Sequence, residues 1–87
     1  MGKNKWHIYI VRCRDGTLYT GIAKDPKKRI GEHNSGDAGA RYTRSRRPVE
    51  LVYVEETLSR STALKREHEI KRMSRSAKER LIAGGTR

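Results

Sequence analysis

The sequence predicts a small α+β protein in which a three-stranded antiparallel sheet is flanked by helices, in the order β-β-α-β-α-α. Residues 6–13 alternate and are rich in Ile, Val, Tyr and Trp, and a short turn separates them from a second strand at residues 17–23, which is typical of a hairpin. Residues 49–55, V-E-L-V-Y-V-E, predict a third strand, and helix-start signals stand elsewhere in the chain. A chain of 87 residues is expected to form one domain, over residues 1–87.

The hairpin turn leaves two registers open. A two-residue turn at Asp15-Gly16 would place Tyr9 and Tyr19 on opposite faces of the sheet. A three-residue turn with a left-handed Gly16 would instead pair Tyr9 with Gly21 and bring both tyrosines to one face. A glycine inside a strand, as at Gly21, indicates a bulge or a close backbone approach.

Three helices are predicted. The first covers residues 26–34, with Asp25 as its N-cap and a proline at its first position. A Gly- and Arg-rich loop over residues 35–48 leads to the third strand. A long helix follows over residues 59–73, and the capping box Ser76-x-x-Glu79 predicts the start of a short last helix.

The charge balance favours a polyanionic partner. There are 21 Lys and Arg residues against 10 Asp and Glu, a net charge of +11, which suits DNA or RNA better than a membrane. The alternative is a basic surface with no partner. A single cysteine, Cys13, excludes a disulfide framework and is consistent with the cytoplasm. No apolar run approaches the length of a membrane span.

Two residues of the first helix could contact a phosphate. Arg29 and His33 are four residues apart and share a helical face. An arginine can bind a phosphate with two donors, and a histidine can relay a proton near neutral pH. The structural alternative is a solvated helix whose C-terminal dipole favours a charged His33. For Tyr9 and Tyr19 the structural alternative is packing within the sheet.

Glu67 is the most informative residue of the long helix. At ~100° per residue it falls inside an apolar arc formed by Ala63, Leu64, Ile70 and Met73. A carboxylate among apolar side chains is costly unless it is paired or binds a metal. An ion pair with a basic residue one turn away, Lys71, or with an arginine is the structural alternative, and a ligand for a hard divalent cation is the functional one.

Together these residues resemble the GIY-YIG nuclease superfamily, in particular its small stand-alone bacterial members, over about residues 6–73. His7-Ile8-Tyr9 stands at the GIY position and Tyr19-Thr20-Gly21 at the YIG position. The helix Arg and His and the metal-binding Glu of the family match Arg29, His33 and Glu67, with Glu69 as a rival to Glu67. The chain has Ile22 where some relatives carry a Lys, and residues 72–87 lack an Asn that some carry.

The resemblance implies a DNA endonuclease that hydrolyses phosphodiester bonds with Mg²⁺ or Mn²⁺, structure-selective or weakly sequence-specific, in DNA repair or recombination. Glu67 would hold the metal, and Arg29 would stabilise charge on the phosphate. Tyr19, helped by His33, would orient or deprotonate the attacking water, and Tyr9 would position water or phosphate.

The remaining basic residues are expected to hold the nucleic-acid backbone, with Tyr42 a candidate for base stacking: Lys24, Lys27, Lys28, Arg41, Arg44, Arg46 and Arg47. Branched, nicked or single-stranded DNA is the expected substrate, a partner protein could supply targeting, and a monomer is expected. The alternative function is a DNA- or RNA-binding module with little or no catalysis. A weaker alternative is an RNA protein associated with the ribosome.

Overall fold

The structure, a computed structural model, describes residues 5–35 and 46–84. Its elements follow the predicted order and confirm the predicted α+β fold: β1 (Trp6–Cys13), β2 (Leu18–Ala23), α1 (Pro26–Ser35), β3 (Val49–Thr57), α2 (Arg60–Lys71) and α3 (Arg75–Ala83). β3 is two residues longer than predicted, because Glu56 and Thr57 continue the ladder with β1. Among the described residues, no helix has the length and apolarity needed to cross a membrane.

The sheet has the strand order β2-β1-β3, and both pairs are antiparallel. β1 therefore lies in the centre and β2 forms an edge. Alternate residues of β1 point to opposite faces, so the sheet builds two apolar clusters. Ile8 and Ile10 pack with Ala63 and Ile70 of α2, and partly buried α3 side chains join them. On the other face Tyr9 lies in the second cluster, with Ile30 of α1 packed against it.

The hairpin has the three-residue turn. Gly16 is left-handed, with φ of 87°, and its N–H donates to the carbonyl of Cys13 at 2.8 Å. Tyr9 lies opposite Gly21 across the ladder. The register in which Tyr9 and Tyr19 share a face is thereby confirmed, and the two-residue alternative is excluded.

Side-chain caps begin all three helices, but the capping prediction for α3 is wrong. Asp25 caps α1 by accepting from the N–H of Lys28 at 3.2 Å, as predicted. Ser74, not Ser76, is the N-cap of α3. Glu79 does not reach back to the cap; it forms a two-bond ion pair with Arg12 at 2.9 Å. The short serine-rich segment before α3 offers two competing caps, and the strong charge partner on β1 decides where Glu79 points.

The arc predicted for α2 is partly wrong. Ala63 and Ile70 are buried as expected, but Leu64 is 39% exposed. Arg66 donates to Glu55 of β3 at 2.7 Å, so this flank of the helix faces β3. Leu64 and Glu67 lie on the opposite flank, toward β2, because residues three and four apart share a side of a helix.

Two glycines give opposite predictions for the stability of this fold. Gly16→Ala should lower the free energy of unfolding by about 1 kcal/mol, since an alanine at positive φ is strained. Gly31→Ala, in the exposed middle of α1 with no atom within 4 Å of its new Cβ, should raise that free energy by about 0.5–1 kcal/mol. Urea unfolding of both variants checks the signs, and a stabilised Gly16→Ala would contradict the left-handed turn.

Candidate active site

Gly21 makes room for the phenol of Tyr9. A Cβ placed on Gly21 would lie 2.5 Å from the Tyr9 hydroxyl oxygen and 2.7 Å from Cζ, which is closer than any real Cβ contact. The Tyr9 ring therefore crosses the backbone of edge strand β2. Tyr9 itself is 2% exposed, so its hydroxyl needs partners within the protein.

His33 of α1 is one of those partners. Its Nε2 lies 3.0 Å from the Tyr9 hydroxyl, and its ring is fully buried. The edge of the same ring meets Tyr19, with ring centroids 5.7 Å apart. A solvated His33 at the helix end is therefore excluded. One imidazole joins both tyrosines.

Arg29, one turn earlier on α1, is the second partner. Its guanidinium donates to the Glu32 carboxylate at 2.9 Å and lies close enough to Tyr9 to lower the pKa of the phenol. Arg29 is about one-third exposed, so it connects the buried phenol to the surface. Arg29 and His33 therefore share one face of α1, as their spacing of four residues predicted.

Burial sets the protonation states of this group. It raises the pKa of Tyr9 to about 12, although Arg29 works in the opposite direction. Burial, followed by the charges of Arg29 and Arg47, lowers the pKa of His33 below its ordinary value. Both groups are neutral at pH 7. Because Arg29 acts on the phenol oxygen as a cation with no acceptor, the phenol hydrogen is assigned to His33 Nε2, and the imidazole proton to Nδ1.

Glu67 approaches from α2, on the opposite face of the sheet. Its charge acts on the Tyr9 phenol and contributes the smallest of the causes that raise the pKa of Tyr9. Its side chain is 18% exposed and forms an ion pair with Lys71 at 3.4 Å. Glu67 therefore forms the ion pair of the structural alternative and also lies close enough to act on the Tyr9 phenol. Glu69 is 63% exposed and pairs with Arg66.

The donor set near Glu67 suits a cation that is held by few protein ligands. Within residues 5–35 and 46–84, no group of three or more His, Cys, Asp or Glu side chains is arranged to hold a metal. Mg²⁺ keeps several waters and is often bound through one or two carboxylates plus phosphate oxygens. Glu67 is a single carboxylate whose side chain is 18% exposed, so such an ion could reach it.

Comparison with known proteins identifies the family. Residues 5–80 match the family described as the GIY-YIG catalytic domain. The chain belongs to the GIY-YIG family. A UPF0213 protein of Staphylococcus saprophyticus is 58% identical over 82 residues, covering 94% of this chain and 99% of the relative. One from Natronomonas pharaonis is 51% identical over 80 residues, covering 92% and 93%.

A solved structure gives the same result. The solution NMR structure of a UPF0213 protein from Bacillus halodurans has 42% sequence identity and a TM-score of 0.58, covering 91% of this chain and 83% of that one. Relatives thus occur in bacteria and archaea. GIY-YIG domains are nuclease domains, and divalent metals are typical of them.

The basic residues predicted to bind nucleic acid lie in different parts of the GIY-YIG domain. Lys24 and Lys27 line an open groove with His7, and Lys28 is exposed on the first turn of α1. Arg46 pairs with Asp15 at 3.1 Å, and Arg47 acts on His33. The predictions for Arg41, Tyr42 and Arg44 lie outside the described residues.

Two residues that position the site were not foreseen. Glu32 holds Arg29. The side-chain amide of Asn34 accepts from the N–H of Val49 at 2.7 Å and donates to its carbonyl at 3.1 Å, which ties the start of β3 to the end of α1. This clamp fixes the chain that carries Arg47 beside His33. An Asn directly after the family's His is the only sequence signal for it.

Gly21→Ala should disturb the site by overpacking. The new Cβ must push the Tyr9 ring away, which should cost about 1–3 kcal/mol in the free energy of unfolding. In a Tyr9→Ala background the same substitution should cost much less, because the clashing ring is gone. Urea unfolding of the four proteins closes the cycle. Equal costs in both backgrounds would contradict the close approach.

His33 should make stability depend on pH below neutrality. Its lowered pKa means that the folded state resists protonation, so its contribution is present above the unfolded value of ~6.5 and is lost as pH falls below it. The free energy of unfolding should therefore drop more steeply between pH 7 and 5 for the wild type than for His33→Gln. Parallel profiles of the two proteins in urea unfolding would argue against a buried neutral imidazole.

Proposed function

We propose that this GIY-YIG domain, over residues 1–87, is an endonuclease that hydrolyses phosphodiester bonds in DNA with Mg²⁺ or Mn²⁺. It would be structure-selective or weakly sequence-specific and serve DNA repair or recombination. The observation that carries the proposal is the buried hydrogen bond between Tyr9 and His33, with Arg29 close enough to act on the same phenol. Sheet packing alone does not require a buried phenol to hold a histidine and an arginine at once.

Arg29 is the natural phosphate contact. It is partly exposed, and its ion pair with Glu32 fixes the direction of the guanidinium. A donor that is already oriented stabilises charge developing on a phosphate without reorganising first. Its other N–H groups can reach a phosphate while this ion pair persists, because a guanidinium has five donors.

The two tyrosines are suited to different tasks. Tyr9 is buried and has a pKa of about 12, so it remains a hydrogen-bond donor and positions its neighbours. Tyr19 is less buried and is the tyrosine that we assign to orienting or deprotonating the attacking water. His33 has no contact with solvent and acts through the tyrosines rather than on water directly.

Glu67 would hold the divalent cation. Bound there, the cation supplies polarisation of a phosphate oxygen and stabilisation of the leaving 3′ oxygen. Glu67 must then exchange part of its ion pair with Lys71, which is half exposed and free to turn toward solvent or the DNA backbone. The carboxylate thus has a partner in the resting protein and can release it at modest cost.

DNA binding would depend on charge. The net charge of +11 and the exposed Lys27 and Lys28 support sequence-independent contacts with phosphates. Such contacts give little selectivity, so a targeting partner protein would direct a monomer in the cytoplasm to branched, nicked or single-stranded sites.

The second candidate function is nucleic-acid binding without useful catalysis. The Glu67–Lys71 ion pair favours it, since a paired carboxylate has a structural reason to be present. Ile22, which stands where some relatives carry a Lys, also favours this alternative. Under this alternative, binding to DNA or RNA would fall with salt and be indifferent to metal.

Glu67→Gln tests the two functions against each other. We expect the wild type to nick branched or single-stranded DNA with Mg²⁺ or Mn²⁺, and Glu67→Gln to lose at least about a hundredfold in rate, since even groups that only support a metal ligand are worth 10–100-fold. The measurement is nicking of labelled oligonucleotides under single-turnover conditions.

Glu69→Gln is the matched control. It removes the same charge from the same helix, but Glu69 is 63% exposed and pairs with Arg66 on the flank that faces β3. It should cleave like the wild type. Equal cleavage by all three proteins would refute the assigned mechanism, and binding without cleavage in all three would favour the binding module.

A further inference from the structure

A second aromatic site lies at the start of β1. The Lys24 ammonium stands 5.6 Å from the centre of the Trp6 indole, and the Arg60 guanidinium stands 5.7 Å from it. Lys24 and Arg60 are exposed, and Trp6 is partly buried against the apolar cluster below α2. Three different elements therefore place two cations around one indole. We call these three residues the Trp6 cluster.

The Trp6 cluster lies beside the candidate active site. Along β1, Trp6 is three residues from Tyr9, and Lys24 follows three residues after Gly21, so each is about 10 Å away at ~3.3 Å per residue. Tyr9 and Gly21 are cross-strand partners, and the ladder continues to His7 and Ala23 just before the cluster. β1 and β2 thus both connect the candidate active site to the Trp6 cluster.

Helix α2 makes the third connection. Arg60 is seven residues before Glu67, which is two turns and about 10 Å along the same side of the helix. Leu64 lies between them on that side and is 39% exposed. A continuous strip, Glu67–Leu64–Arg60, therefore joins the carboxylate to the indole. The unexpectedly exposed Leu64 is part of this strip.

The composition of this strip fits a single strand of nucleic acid. Sites for single strands combine cations that follow the backbone with aromatic and apolar surfaces that contact base faces. Here an indole and an exposed leucine supply the surfaces, and Lys24 and Arg60 supply the cations. If Lys24 and Arg60 served only to shield the Trp6 ring from solvent, there would be no need for both of them to be exposed.

We propose that the Trp6 cluster is a stacking subsite for single-stranded DNA that extends from the candidate active site along α2. The inference rests on the proposed function, which places the scissile phosphate at Glu67. A base stacks on the indole in place of the Lys24 ammonium, while Lys24 and Arg60 contact the adjoining phosphates. At the 3.4 Å rise of a stacked strand, the subsite lies about three nucleotides from the scissile phosphate.

Trp6 is the only tryptophan of the chain and reports on its own contact. We expect oligothymidylate of twelve nucleotides, added in EDTA, to quench the intrinsic fluorescence of the wild-type protein. Anisotropy of a labelled copy of the same oligonucleotide gives the affinity independently. Binding by anisotropy with unchanged tryptophan fluorescence overturns the proposal, and so does the absence of any binding.

Charge variants locate the contact. Lys24→Gln/Arg60→Gln should weaken binding of the oligonucleotide roughly tenfold and reduce the quenching. Lys65→Gln/Arg80→Gln is the matched control, because it removes the same two charges from exposed positions on α2 and α3. Equal loss in both pairs overturns the proposal, since only the overall charge would then matter.

Trp6→Leu adds a test of stacking. It should weaken binding at least about fivefold by anisotropy, which is the lower limit for loss of a stacked base. Circular dichroism checks whether Trp6→Leu, at this partly buried position, still folds. If it does not fold, the charge variants alone test the subsite. Because the quenching assay contains no metal, its result is independent of the nicking assay with Mg²⁺ or Mn²⁺. Quenching in EDTA without nicking in the metal-containing assay keeps the subsite and rejects only the nuclease. Cleavage without quenching does the reverse.

Discussion

The phenol of Tyr9 lies against the backbone of Gly21, in space that any side chain at position 21 would fill. The rest of the site depends on this contact. The three-residue turn at Gly16 sets the register, the register puts Gly21 opposite Tyr9, and the missing side chain lets the ring cross the edge strand. A shift of one residue would send Tyr9 or Tyr19 to the other face and separate the hydroxyl from His33.

Burial of this polar group has a consequence for its chemistry. The low polarity around Tyr9 and His33 keeps both neutral, so they form a neutral hydrogen-bonded chain beside Arg29 rather than a pair of charges. A neutral chain can be buried without the penalty of unpaired ions, provided that every donor finds an acceptor. Charge is left to Arg29, Glu32, Glu67 and Lys71, all of which retain contact with solvent.

Local signals predicted most of the fold and part of the site. The strand alternation, the Asp25 cap and the Arg29–His33 spacing each depend on neighbouring residues, which sequence displays directly. The failures involve distant contacts. Arg12 binds Glu79, so Ser74 rather than Ser76 caps α3. Arg66 binds Glu55, so one flank of α2 faces β3 and Leu64 on the other flank is exposed. The Asn34 clamp joins segments fifteen residues apart and leaves no periodic signal.

The location of the site at an edge strand explains how two faces of a sheet can act together. Helices α1 and α2 pack on opposite faces, and both contact β2. In the middle of the sheet an intervening strand would separate Arg29 and His33 from Glu67. At the edge, Gly21 places no side chain between them. An edge strand is normally protected from pairing with another chain by charged side chains or by a helix or loop that covers it. Here the charges of both helices flank it, so a polyanion aligned with β2 would meet Arg29 on one side and Glu67, Leu64 and Arg60 on the other.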